Sequence, residues 1–196
     1  MKERFEGAGR PNLIDALRRQ EIIGGDATLA ESFASAGTLE EYQKGDTIIS
    51  EGAHDNDVYL LIAGSVAIVV KSNNIATRRA GQSIGEMAAI EPAQPRSASN
   101  VALETVVALK VPGDAFNEIS TKHPEIWKPL AQEQARRLFE RNKLITAPNS
   151  APRLFIISSA ESLEIAWAIQ KASIATYLAL YGLTACSLRV AIHWKR

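Results

Sequence analysis

The sequence predicts an α+β chain: an antiparallel β-roll flanked by helices, followed by a fragment of an α/β domain. Three observations predict it. Between Tyr42 and Val111, short β-branched and apolar stretches alternate with glycine-bearing turns, the pattern of antiparallel strands joined by tight reversals. On either side of that stretch, apolar residues recur at helical spacing. After Pro152 the order becomes strand, polar turn, helix, which is how an α/β unit opens.

Leu13, Ile14, Leu17 and Ile22 fall at helix-compatible positions behind the start signal Pro11-Asn12, so residues 12 to about 36 are expected to be helical, broken at Gly24-Gly25-Asp26. Strands are expected at Thr47–Ile49, Val58–Ile62, Val66–Val70 and Val106–Val111, with others before Gly81 and near Val101. The turns Lys44-Gly45-Asp46, Ala63-Gly64-Ser65, Ser72-Asn73-Asn74 and Ala80-Gly81-Gln82 supply residues that tolerate positive φ, as tight reversals require. Helix returns after Pro112-Gly113, with Asp114 as the expected N-cap of a segment ending near Thr121. Pro124-Glu125 opens a longer helix to about Leu144, with Pro129 in its first turn. On that helix Leu130, Ala131, Ala135, Leu138 and Phe139 form an apolar stripe that suits either packing against the β-roll or a dimer seam.

The Pro-punctuated run 146–152 reads as a linker. Beyond it Leu154–Ile157 is a buried-strand candidate, Ser158-Ser159-Ala160-Glu161 a capping box, and Leu163, Ala166, Trp167 and Ile169 mark an amphipathic helix. The expected organisation is a helical lead over 1–38, a β-roll with its C-terminal helices over 39–145, the linker, and an α/β fragment over 153–196. Only 44 residues follow Pro152, enough for at most one βαβ unit. The tail from Lys171 to Arg196 shows no second strand–helix unit.

Composition narrows the function classes. Equal numbers of basic and acidic residues, 22 each, give no overall attraction to nucleic acid or to an anionic membrane. The single cysteine, Cys186, cannot form an internal disulfide, and the start lacks the apolar stretch of a secretory signal, so a cytoplasmic protein is expected. The apolar run Val58–Val70 is shorter than a membrane helix needs. His54, His123 and His193 are scattered, so a metal centre is not expected.

The segment that carries chemistry is Gly81-Gln-Ser-Ile-Gly85-Glu86-Met87-Ala88-Ala89-Ile90 through Pro95-Arg96-Ser97-Ala98. A glycine turn entering a short helical piece presents backbone N–H groups to an anion. Arg96 is the one cation read near this turn, and its planar guanidinium can hold two phosphate oxygens at once. Glu86 beside an anion needs a donor of its own, which a sugar hydroxyl supplies. Together these describe a pocket for a small ribonucleotide with one phosphate.

Over residues about 25 to 145 the sequence resembles the cyclic-nucleotide-binding domain family. The resemblance lies in Tyr42-Gln-Lys-Gly45-Asp46-Thr-Ile48-Ile49-Ser-Glu51-Gly52, in Asp57-Val58-Tyr59-Leu60-Leu61-Ile62-Ala-Gly64-Ser-Val66, and in the cassette running from Gly85-Glu86-Met87-Ala88 to Pro95-Arg96-Ser97-Ala98. It implies that Glu86 holds a ribose 2′-hydroxyl, and that Arg96 holds the cyclic phosphate with Gly85, Met87, Ala88 and Ser97. Asp46, Glu51 and Asp57 are read as turn and surface residues. It also implies that bound ligand draws the helices at about 114–144 toward the β-roll, a population shift.

Arg153-Leu-Phe-Ile-Ile-Ser-Ser-Ala-Glu-Ser-Leu-Glu-Ile-Ala-Trp-Ala-Ile-Gln170 is similar to the opening of a TIR-like domain. The pairing of the two domains resembles the effectors of bacterial Pycsar antiphage defence. That resemblance implies a cyclic pyrimidine nucleotide, cUMP or cCMP rather than cAMP, as ligand, and NAD as the substrate hydrolysed by the complete effector. No catalytic residue is assigned in this chain, which is expected to lack the catalytic half and to be inactive on NAD by itself. Ser158, Ser159 and Glu161 read as helix-capping before nucleotide-binding. A reading-frame change near Ala172 would account for the unusual tail. The competing reading is a cAMP-responsive binding module that controls a partner or transcription, although nothing after Pro152 reads as a helix-turn-helix. A homodimer through the helices at 114–144 is expected.

Overall fold

The computed structural model describes residues 1–144, 153–158 and 189–194. The chain divides into two compact units, Met1–Leu144 and Ile145–Arg196.

In the first unit, short 3₁₀ turns at Lys2–Arg4 and Gly7–Gly9 lead into α1 (Arg10–Arg18), which has Pro11 in its first turn and buries Leu13 and Leu17. The break comes earlier than expected: the chain leaves the helix after Arg18 rather than at Gly24, so Ile22, expected on the helix, is buried from the intervening turns. Asp26 then caps α2 (Ala27–Ala36), its side chain accepting from the Leu29 amide at 2.8 Å, which satisfies one of the unpaired donors of the first turn. Leu29, Ala30, Phe33 and Ala34 form the buried face of α2.

Eight strands build two antiparallel sheets. One runs in the order β1 (Thr38–Tyr42), β8 (Val106–Val111), β3 (Val58–Ala63), β6 (Ser83–Ile84); the other is β2 (Thr47–Ile49), β7 (Ser99–Ala102), β4 (Ser65–Val70), β5 (Asn73–Arg79). Successive side chains of a strand point to opposite faces, and β3 and β8 bury both. Leu60, Ile62, Val107 and Leu109 pack with Phe33, Phe116, Ile126 and Leu130 of the helical layer. Tyr59, Leu61, Val106 and Ala108 join Ile49, Val66, Ile84 and Ala102 in the interior of the roll.

Four further expectations are corrected. The turn placed at Ser72-Asn73-Asn74 lies one residue earlier: Lys71 and Ser72 take the positive φ values, +49° and +66°, while Asn73 and Asn74 already pair with Val70 and Val69. Two central residues with φ > 0 match the twist of a tight hairpin. Asp114 is not an N-cap, because α4 (Gly113–Lys122) starts one residue before it; Asp114 stands in the first turn, where a carboxylate still favours the helix dipole. Strands β1 and β6 were not anticipated, since β1 reads Thr-Leu-Glu-Glu-Tyr with Leu39 its one buried residue and β6 is two residues long.

The fourth correction concerns α5 (Trp127–Leu144), entered through a 3₁₀ turn at Pro124–Ile126. Its expected apolar stripe does not pack on the roll as a unit. Leu130 is buried, but Ala131 and Ala135 are exposed and Leu138 and Phe139 are 58% and 64% exposed. The inward face is Leu130, Glu133, Gln134 and Arg137, still at helical spacing but mostly polar.

In the second unit, β9 (Arg153–Ser158) and β10 (Arg189–Trp194) pair in parallel, with Arg153 opposite Arg189. The expected strand at 154–157 is present, and the tail provides a strand around the apolar run Val190-Ala191-Ile192. Parallel pairing is compatible with the single βαβ unit for which the length leaves room. The linker 146–152, the capping box from Ser159 onward, the helix carrying Leu163, Ala166, Trp167 and Ile169, and the segment around Ala172 lie outside the described residues. Among the described residues no helix is long and apolar enough to cross a membrane.

Candidate functional site

The site is assembled where β6 ends and α3 (Glu86–Ile90) begins. Gly85 joins them with φ +87°, and a Cβ there would lie 2.7 Å from the Asp57 carbonyl oxygen and 2.8 Å from Arg96 Nη1. The conformation and the crowding both require glycine. Its carbonyl accepts from the Ala88 amide at 3.3 Å and from Arg96 Nη1 at 2.8 Å.

Arg96 is pinned to the loop between β2 and β3. Its amide donates to Ala53 O and its carbonyl accepts from Gly52 N, each at 2.8 Å. The side chain is 3% exposed. Nε donates to Asp55 Oδ1 at 3.1 Å, Nη1 to Gly85 O, and Nη2 to Asp57 O at 2.7 Å and to Asp55 Oδ1. Four of the five N–H donors of a guanidinium are thereby used. The hydrogen bond from Arg96 holds the Asp55 carboxyl below the usual aspartate range.

Glu86 is held from a different direction. Its side chain is 2% exposed; Oε1 accepts from Gln134 and Arg137 of α5, while Oε2 is buried with no hydrogen-bond partner among the described residues. Arg137 also pairs with Glu133 and donates to Ser83 O at 2.6 Å. Burial pushes the Glu133 carboxyl up, an effect that the Arg137 charge opposes. One guanidinium thus serves two buried carboxylates.

These groups border a cavity of ≈ 890 Å³. All six residues singled out in the sequence line it: Gly85, Glu86, Met87, Ala88, Arg96 and Ser97. Ala88 is buried, Met87 is 55% exposed and Ser97 is exposed. Arg96 is not the one cation at the site, because Arg78 of β5 and Arg137, Arg141 and Lys143 of α5 also line the cavity. Nothing local marks these four, since β5 and α5 reach the cassette only through tertiary packing. Asp46, Glu51 and Asp57 keep structural roles: Asp46 accepts from Gln43 N, Glu51 from Lys71 N, and Asp57 pairs with Lys110.

The family model for the cyclic nucleotide-binding domain matches residues 39–123. The chain is similar to the Pycsar effector protein BcPycTIR of Burkholderia cepacia, with 40% identity over 87% of this chain and 56% of that protein. It is similar to XpPycTIR of Xanthomonas perforans, also a Pycsar effector protein, with 41% identity over 84% of this chain and 55% of the relative. The chain therefore spans just over half the length of these curated relatives. Among solved structures, cAMP-bound PfPKA-R matches with a TM-score of 0.61 at 22% identity, over 69% of this chain and 47% of the other, a likeness of fold. Residues 39–123 form a cyclic nucleotide-binding domain, in a chain similar to Pycsar effector proteins over most of its length.

Proposed function

We propose that the first unit is the sensor of a Pycsar-type antiphage effector, which binds a cyclic mononucleotide and passes that event to a TIR-like domain opening at Arg153. The observation that carries the binding half is the state of Glu86, with one carboxylate oxygen gripped by α5 and the other buried in the cavity wall without a partner among the described residues. A buried acceptor left unpaired costs about 1–3 kcal/mol. A ribose 2′-hydroxyl donating to Oε2 removes that cost.

The cyclic phosphate then lies against the remaining Arg96 donor, the backbone of Gly85, Met87 and Ala88, and the Ser97 hydroxyl. Because the same carboxylate binds ligand and α5, the position of α5 is linked to occupancy, within the limit set by the ligand's differential affinity for the two helix positions. Similarity to Pycsar effector proteins supports the defence role. The family resemblance favours cUMP or cCMP over cAMP, and NAD as the substrate hydrolysed by the whole protein. A homodimer fits the exposed apolar residues Leu138 and Phe139 of α5.

Calorimetric titration of the purified chain with cUMP, cCMP, cGMP and cAMP tests the sensor. The expected result is binding of a pyrimidine nucleotide that Glu86→Ala weakens at least roughly tenfold, about 1.4 kcal/mol. Absence of binding by all four nucleotides overturns the reading.

A further inference from the structure

Arg78 has no role in the site as described so far. It lies on β5, the edge strand of its sheet, directly opposite Val66 of β4, and Val66 is in turn opposite Ala102 of β7. Directly paired residues share a sheet face, and Val66 and Ala102 are buried in the interior of the roll. Arg78 therefore points inward, to the wall of the cavity. Its one hydrogen bond among the described residues is from Nη1 to the carbonyl of its neighbour Thr77, at 3.2 Å. Burial and the nearby Arg137 charge both push its guanidinium toward the neutral form. A cation drawn out of water is ordinarily paired, so this half-buried, inward arginine, whose side chain has a single backbone contact among the described residues, has donors to offer a ligand.

The ladder also fixes which part of a ligand it meets. Ile68, Ala76 and Asn100 form one cross-strand row, and Val66, Arg78 and Ala102 form the next, two residues farther along β7 from Ser97. Two residues along a strand span about 7 Å. Arg78 thus stands on the far side of the Asn100 row from the phosphate end marked by Arg96 and Ser97, where a base extending away from that end would meet it.

We infer that Arg78 reads the base, donating its planar N–H fork to the 2-carbonyl oxygen of a pyrimidine and thereby disfavouring adenine. Uracil and cytosine both carry that oxygen beside the glycosidic bond, whereas adenine carries no carbonyl and leaves the fork unpaired. A site built to hydrogen-bond a group rejects the analogue that lacks it more strongly than a missing methylene is rejected. The inference rests on a cyclic mononucleotide occupying this cavity.

The test is calorimetric titration of the wild-type chain, Arg78→Leu and Arg78→Lys with cUMP, cCMP and cAMP, with a thermal melt of each variant. The wild type is expected to prefer cUMP and cCMP. Arg78→Leu should weaken both at least roughly tenfold, about 1.4 kcal/mol, while cAMP affinity moves by less than about threefold. Arg78→Lys keeps the charge and loses the fork, so it should show the same selective loss to a smaller extent, and it carries the test if Arg78→Leu does not fold. Equal losses for all three nucleotides would assign Arg78 to the phosphate. Unchanged affinities would make it only an inward charge that protects an edge strand. Either result overturns the inference while leaving the sensor intact. A wild-type chain that binds none of the nucleotides removes the sensor and the inference together.

Discussion

Arg96 and Glu86 line one cavity, yet different parts of the molecule hold them. Arg96 is fixed by the roll alone, through Asp55, two backbone carbonyls and the pairing of its own backbone with Gly52 and Ala53. Glu86 is fixed by α5, through Gln134 and Arg137. In the proposed function, the phosphate end is therefore built by the roll, and the sugar end is completed only while α5 is seated. A ligand that binds both ends senses whether the helix is in place, and by linkage the helix senses the ligand.

The comparison can be broken most forcefully from the helix side. Arg137→Ala leaves Glu86 and Glu133 buried without their cation, and removing one partner of a buried pair costs about 3 kcal/mol or more. Chemical denaturation should show that loss, and adding Glu133→Gln should recover part of it, because only one carboxylate then remains uncompensated. Next in size, Arg96→Ala should lower stability by about 1–3 kcal/mol, since the Asp57 carbonyl loses the Arg96 donor and the Gly85 carbonyl keeps only the Ala88 amide. It should also weaken nucleotide binding at least roughly tenfold. If stability does not change, the phosphate end is not built by the roll.

Glu86→Ala should separate the two quantities, weakening nucleotide binding at least roughly tenfold while costing less stability than Arg137→Ala, because Arg137 keeps Glu133 and the Ser83 carbonyl. The smallest effect is one of pH. The Asp55 carboxyl is held below its ordinary value of 3.8 by Arg96, so its contribution is present above that value and is lost as pH falls through the lowered one. Denaturation midpoints of Asp55→Asn and wild type should converge on acidification below about pH 3.8. A gap that stays constant would show that Asp55 acts without its charge.

What could be read in advance follows from how local each feature is. The cassette was legible because its parts are contiguous: a glycine at φ +87°, an acid after it and an arginine ten residues beyond the acid. The strands β3 and β8 were legible as apolar runs, broken in β8 only by Lys110, whereas β1 was not, since its sequence is mostly polar and its pairing with β8 is what makes it a strand. The stripe on α5 left two readings open, packing on the roll or a dimer seam, for a related reason. Periodicity shows that a helix has two faces, but the face that meets the roll carries Leu130 into the core together with the Arg137 ion pair to Glu86 and its hydrogen bond to the Ser83 carbonyl.

The sequence by itself determined the α+β architecture, the roll and the six cassette residues, because turn chemistry, strand alternation and a short motif act over a few residues. Only the tertiary structure decided that Arg78 faces inward, that Arg137 clasps Glu86, and that the tail contributes a strand parallel to β9. Those facts depend on the register of paired strands and on the rotation of one helix about its axis. Both are set by contacts between residues far apart in the chain, to which local propensity is blind.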